Sequence, residues 1–521
     1  MSMSKYYITT AIPYVNGAPH IGHAMDYCIA DVCARYHKLI GDDVRLQAGT
    51  DEHGNKNSLK ARELKVPTAE YVAKNAEKFK DFIHKLGVSY TDFIRTTDPE
   101  HEKRCQEIWQ RLKNHIYLAK YNGWYCTGCE RFVTKQECEE NHGICPDHQK
   151  PYEKLEEENY YFRISDFKDK IRRVIEEDEM EILPKFRKLE VLKLLENSPD
   201  VSISRPTSQL TWGIPVPDDE NQVMYVWIDA LANYITVLGY PYKDILDWWP
   251  AKVQIVGKDI LRFHAIIWPA MLLGLGLPLP KTLLSHGMVL SNGQKMSKTI
   301  GNVVDPMDVL KKHGTEAFRY FFLRHIDTFS DSDFTWQKFE DAYSNELAND
   351  LGNLVQRIAA LAEKNQISYK DVALSHNSYE RVADTFGLGT VSLAKRPRAC
   401  PEDKGTDRTR TNYATKPKEA LQLPSNYREL MDNFEFSKAF DVVWDKIQSL
   451  NRRIDEEKPW SLAKNGEKVK LESCLNSLIY ELLEANLMLE PFLPETSKKI
   501  KAIFTGEIKT PASPLFPKEP N

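Results

Sequence analysis

Two histidines three residues apart, in His20-Ile21-Gly22-His23, follow a Pro- and Gly-rich turn and open a helical pattern that runs to about Leu39. A helix N-terminus offers unpaired N–H groups and a positive dipole end, which suits a phosphate chain. Gly22 lets a nucleotide approach the backbone while both imidazoles reach it. Far along the chain, Lys295-Met296-Ser297-Lys298-Thr299 lies between Gly293 and Gly301. A mobile loop with two ammonium groups can close over a polyphosphate and neutralise a leaving pyrophosphate. Taken singly, the first stretch reads equally well as a strand–turn–helix with solvated histidines. The second, taken singly, is solvated surface.

Other residues could do chemistry too. Asp51, in Gly49-Thr50-Asp51-Glu52-His53-Gly54, follows the strand pattern Val44–Ala48. It therefore faces the crevice at a strand's carboxyl end, unless it serves as an N-cap or turn residue. Cys126-Thr127-Gly128-Cys129 and Cys145-Pro146-Asp147-His148 stand fifteen residues apart. That spacing matches a tetrahedral Cys3His zinc site, with Cys138 and His142 as alternative ligands. Four ligands leave no open position, so such a metal is structural. His264 and Trp268 share a face of an apolar helical pattern from Ile260 to about Leu273, just past a strand end.

These groups need a frame to hold them. With 521 residues, 42% hydrophobic and 28% charged, the chain has the make-up of a soluble globular protein of two to four domains. A net charge of −5 provides no global attraction to nucleic acid, so contacts of that kind must be local. No export or organelle signal opens the chain, and the apolar stretch 265–280 is short and broken by prolines. The cytoplasm is the expected compartment. Strand and helix patterns alternate from residue 5 to about 117, which predicts a parallel sheet covered on both faces. From Asn122 the character changes, and 150–220 reads as inserted material. Met224–Ala230 returns to a buried strand pattern, and Val253–Gly257 reads as another strand. Beyond Asp333 the pattern is helical, with Leu347, Leu351, Leu354, Ile358 and Leu361 at helical spacing. Asn353 and Arg357 share a helix face, and Lys458-Pro459-Trp460 reads as a helix end. Residues 395–418 are basic and lack apolar periodicity, as a disordered linker would.

The two signature stretches, in this order and on this frame, resemble those of class I aminoacyl-tRNA synthetases. Ala11-Ile12-Pro13-Tyr14, the Asp51 stretch, Tyr225–Ala230, Gly257-Lys258-Asp259-Ile260 and Phe263-His264 narrow the resemblance to the methionyl-tRNA synthetase family. It covers nearly the whole chain and fails only between roughly 370 and 425. Thr299 stands where serine is usual, which keeps the hydroxyl.

The resemblance implies an α/β fold: a Rossmann-like catalytic domain in two halves (1–117 and 223–332), an inserted zinc-containing connective domain (118–222) and a helical anticodon-binding bundle (333–521). It implies a methionine–tRNA ligase acting on L-methionine, MgATP and tRNA(Met), initiator included. Ile12, Tyr14, Trp227, Ala230, Leu231, Tyr234, Ile260 and His264 would form the methionine pocket, with Asp51 on the ammonium group. His20, Gly22, His23, Lys295 and Lys298 would serve ATP and its phosphates, and Gly257 and Asp259 the adenosine. Cys126, Cys129, Cys145 and His148 would hold one structural Zn2+. Asn353, Arg357 and Trp460 would read the anticodon. The chain ends at Asn521 without the oligonucleotide-binding extension of some relatives, so a monomer is expected.

Overall fold

The computed structural model describes residues 4–126, 131–133, 135–146, 149–296, 301–367 and 422–517. Six runs make one sheet: β1 (Lys5–Thr10), β2 (Asp43–Thr50), β3 (Asp92–Arg95), β4 (Glu181–Leu183), β5 (Val253–Gly257) and β6 (Thr282–His286). Their order is β3-β2-β1-β5-β6-β4, and every neighbouring pair is parallel. Ile8, Leu46, Ile255 and Leu284 are fully buried, as a sheet covered on both faces requires. From β1 the chain passes to β2 on one side, and it later returns as β5 on the other. That reversal opens a crevice at the carboxyl ends of β1 and β5.

The helix α1 (Ile21–Ile40) follows β1 and ends on Gly41, whose φ of 105° completes a left-handed cap. Its Asp31 is fully buried and meets Arg319 of α4 (Pro306–Arg324) at 2.7 Å. The guanidinium also donates to the carbonyls of Leu86, Pro491 and Phe492, so one buried cation joins sheet and C-terminal helices. Burial opposes charge on Asp31, but Arg319 and Arg35 outweigh it and hold the carboxyl below its usual range.

Of two other helices, α3 (Val226–Thr236) lines the crevice and α2 (Pro99–Leu112) packs against α3. The strand expected over Met224–Ala230 is therefore corrected. The strand Asp219–Met224 stops there, and α3 begins at Val226. All of α3 except Trp227 is buried, and a continuous apolar run looks the same in a buried strand and a buried helix. The stretch 118–222 also differs from a simple insertion. Ile116–Cys126, Arg131–Val133, Glu153–Phe162 and Val201–Ser202 form a separate antiparallel sheet, yet β4 from the same stretch closes the edge of the main one.

The C-terminal part is helical among its described residues. The helices α5 (Asn353–Lys364), α6 (Phe436–Glu457), α7 (Pro459–Lys464) and α8 (Lys468–Leu489) share a core that includes Leu354, Ile358, Val443, Ile447, Leu475 and Leu478. Lys458-Pro459-Trp460 starts a helix as well as ending one. Lys458 caps α6 with φ 46°, and Pro459 takes the first position of α7, where its missing N–H costs nothing. Residues 395–418 lie outside the described residues. No helix of the described residues is long and apolar enough to cross a membrane.

Candidate active site

A cavity of about 710 Å³ fills the crevice. Ile12, Tyr14, His20, Gly22 and His23 line it from the loop after β1 and the start of α1, with Asp51 from the end of β2. Trp227, Ala230, Leu231 and Tyr234 reach it from α3. Gly257, Asp259, Ile260, His264 and Lys295 complete the wall. Tyr14 and Asp51 are joined by parallel bridging, with Asp51 N–H donating to the Pro13 carbonyl at 2.9 Å. Of the residues expected here, only Lys298 lies outside the described residues.

His20 has extended backbone and caps α1. Its Nδ1 accepts from the Gly22 N–H at 3.2 Å, and the Nδ1 of His23 accepts from the His20 N–H at 3.1 Å. A ring nitrogen that accepts carries no proton, so each neutral imidazole keeps its proton on Nε2. The rings stack with centroids 3.8 Å apart. A Cβ on Gly22 would stand 3.0 Å from the His20 ring, so any side chain here would press on that ring. The helix start thus brings two stacked imidazoles into the cavity lining, with its first backbone N–H groups tied up by the cap.

The opposite end of the cavity is apolar. Trp227 stacks on Phe263 at 3.8 Å and 6°. Phe263–Ile267 is a π-helical turn, followed by α-helix at Trp268–Gly274. His264 Nδ1–H donates to the Ile260 carbonyl at 3.1 Å, which leaves Nε2 to accept from the Tyr234 hydroxyl at 2.7 Å. Burial pushes His264 down to about pKa 4, so its ring is neutral at physiological pH. Because the folded ring refuses a proton that the unfolded chain accepts, its contribution to stability is complete above pH 6.5 and is lost as pH falls towards 4. In that window the wild type is expected to lose stability faster than His264→Gln, by on the order of 1 kcal/mol per pH unit. Chemical denaturation at pH 4.5, 5.5 and 7 measures this, and parallel losses in both proteins would contradict it.

Three acidic groups and two histidines around the cavity escaped the sequence reading. Asp26 lies one helical turn beyond His23, and its carboxylate meets His286 Nε2 at 3.0 Å. Their i, i+3 spacing made Asp26 findable, whereas His286 needed the strand order. Beneath the cavity, His53 Nδ1 lies 2.7 Å from Asp229, and its Nε2 lies 3.4 Å from Glu102 of α2. Burial opposes charge on His53, but the hydrogen bonds to Asp229 and Glu102 outweigh it and raise its pKa to about 10.

The expected metal ligands are only partly described. Cys129 and His148 lie outside the described residues. Cys126 and Cys145 are buried together with Cys138, Val133 and Tyr152. Among the described residues alone, no three potential ligands converge. In the helical C-terminal part, the Arg357 guanidinium stands 5.9 Å over the Trp460 ring and pairs with Asp455 at 2.5 Å. Asn353 is exposed one turn before Arg357 on α5.

The chain is similar to known proteins in sequence and fold. The family model for class I tRNA synthetases (M) matches residues 6–154 and 147–359. Methionine–tRNA ligase of Thermotoga maritima is 38% identical over 503 residues, 95% of this chain and 74% of the relative. That of Caldanaerobacter subterraneus is 39% identical over 505 residues, 95% and 73% of the two chains. A Mycobacterium tuberculosis methionyl-tRNA synthetase solved with methionyl-adenylate superposes with a TM-score of 0.84 at 30% identity, covering 99% of this chain and 100% of that one. With the nucleotide-friendly helix start, the switch-point cavity and these relatives in agreement, the chain belongs to the class I tRNA synthetases of the methionine type.

Proposed function

We propose that the chain activates L-methionine with MgATP and then esterifies the 3′ end of tRNA(Met). The observation that carries this reading is one cavity with a carboxylate, an apolar aromatic wall and a helix start bearing two imidazoles. Asp51 takes the α-ammonium group. Trp227, Ala230, Leu231, Ile260 and Tyr234, with Ile12, Tyr14 and His264, enclose the thioether, a soft group suited to such walls. The methionine carboxylate oxygen attacks the α-phosphorus, the bond to the β-phosphate bridging oxygen breaks, and pyrophosphate leaves. His20 and His23, with Lys295 and Lys298, stabilise charge on the phosphates, so positioning and electrostatics carry the rate. Gly257 and Asp259 hold the adenosine. The terminal ribose hydroxyl of the tRNA then attacks the adenylate carbonyl and AMP departs. ATP–pyrophosphate exchange across the twenty amino acids tests this. Methionine is expected to support exchange, and exchange with another amino acid but not methionine would overturn the reading.

The same reading divides the chain into catalytic halves 1–117 and 223–332, a connective segment 118–222 that also lends β4, and an anticodon-binding part, 333–521. In the connective segment, Cys126, Cys129, Cys145 and His148 would hold one Zn2+, which would tie two loops together. The shared burial of Cys126 and Cys145 fits soft thiolate donors. Elemental analysis of the purified protein is expected to find one zinc per chain, and a metal-free folded protein would refute the assignment.

Arg357, Asn353 and half-exposed Trp460 supply a stacking surface and hydrogen-bond donors for unpaired anticodon bases. Trp460→Ala is expected to raise the KM for tRNA about tenfold, the worth of one lost base stack. The loss belongs to aminoacylation and not to tRNA-independent exchange. An equal fall in both would give Trp460 a structural role instead.

A further inference from the structure

The loop that carries Asp51 is clamped more thoroughly than a turn requires. The neighbouring Glu52 is buried, takes two hydrogen bonds from Arg95 at 2.7 Å and one each from Thr50 and Thr97. Its carbonyl accepts from Trp212 Nε1–H at 2.8 Å, and the Gly54 N–H donates back to the Trp212 carbonyl. These bonds hold the loop to β3 and to the strand-to-strand connection around Trp212. None of them reaches α3, which carries the apolar wall.

One contact does. His53, two residues after Asp51 and 3% exposed, meets the fully buried Asp229 on α3. Asp229 sits between Trp227 and Ala230, so its anchor fixes the wall on both sides. Glu102 from α2 backs the imidazole from behind. A hydrogen bond of 2.7 Å between an imidazole and a carboxylate in a buried setting has a narrow range of geometries, unlike the apolar contacts around it.

We propose that His53 and Asp229 are positioning residues that set the distance between the ammonium subsite at Asp51 and the side-chain subsite on α3. This inference rests on the methionine-activating reading above. Methionine is recognised in part by length, the number of bonds from its ammonium group to its sulfur. Two subsites on separate elements can measure that length only if those elements are held at a fixed separation. An apolar wall by itself discriminates one methylene only modestly.

The test compares wild type, Asp229→Asn and Glu102→Gln in pyrophosphate exchange, with methionine, S-methyl-L-cysteine (one methylene shorter between Cα and sulfur) and L-homomethionine (one methylene longer there). For Asp229→Asn the KM for methionine is expected to rise about tenfold, with kcat within threefold of wild type and the KM for ATP unmoved. The preference for methionine over both analogues is expected to shrink about tenfold. A general loss of packing would lower activity with all three substrates alike, and that result, or an unchanged preference, overturns the proposal. Should Asp229→Asn not fold, Glu102→Gln, whose side chain is partly exposed, carries the test. There a smaller shift in the same ratio supports the proposal and an unmoved ratio overturns it. Failure of the wild type to exchange with methionine would instead refute the functional reading itself.

Discussion

Asp51→Asn is expected to lower kcat/KM for methionine about a thousandfold in pyrophosphate exchange, while the KM for ATP changes little. Asp51 is 5% exposed, at the floor of the cavity. A methionine ammonium group bound there leaves water and must find its charge matched. Removing one partner of such a pair leaves the other buried and uncompensated, which costs about 3–5 kcal/mol. At 1.4 kcal/mol per decade, that range spans roughly two to four decades of kcat/KM. Asparagine keeps the size and one oxygen of the side chain, so the bridge between Tyr14 and Asp51, made by the backbone, survives. Steady-state exchange with methionine and ATP each varied measures the effect. An unchanged methionine KM would remove Asp51 from the ammonium site.

His23→Ala is expected to slow adenylate formation by about 10²–10³, the size seen when one preorganised donor to a developing charge is removed. Methionine affinity is expected to hold, because the imidazole lies at the phosphate end and not along the apolar wall. The substitution also takes the acceptor from the His20 N–H, at a cost of about 1 kcal/mol in helix capping. His23→Glu separates the two roles. Glutamate at this position restores the acceptor in the manner of a capping box, yet brings negative charge against a triphosphate. It should therefore recover stability and recover no rate. Single-turnover adenylate formation and thermal melting, run on both variants, decide this. Equal recovery of rate and stability in His23→Glu would make His23 a capping residue only.

Much of this architecture follows from local sequence. Strand and helix alternation announced the parallel sheet, and the helix from Ile21 was legible because its start and its Gly41 stop are chemical signals. Where the pattern was a continuous apolar run, as in Val226–Thr236, it could not tell strand from helix, since both bury every side chain. Proline likewise marked a boundary at Pro459 without saying that it opened α7.

The local sequence determined which chemistry could occur: imidazoles at a helix start, a carboxylate after a strand, a run of aromatics. Those properties depend on near neighbours, whose geometry the backbone sets within a few residues. Tertiary structure alone decided what faces what. His53 and Asp229 are 176 positions apart, and His286 and Asp26 are 260 apart. No spacing rule relates them. Their pairing follows from the order β1-β5-β6 and from the placement of α3 against the loop after β2. Burial then does the rest, because a charge removed from water must be matched by whichever charge the fold brings near.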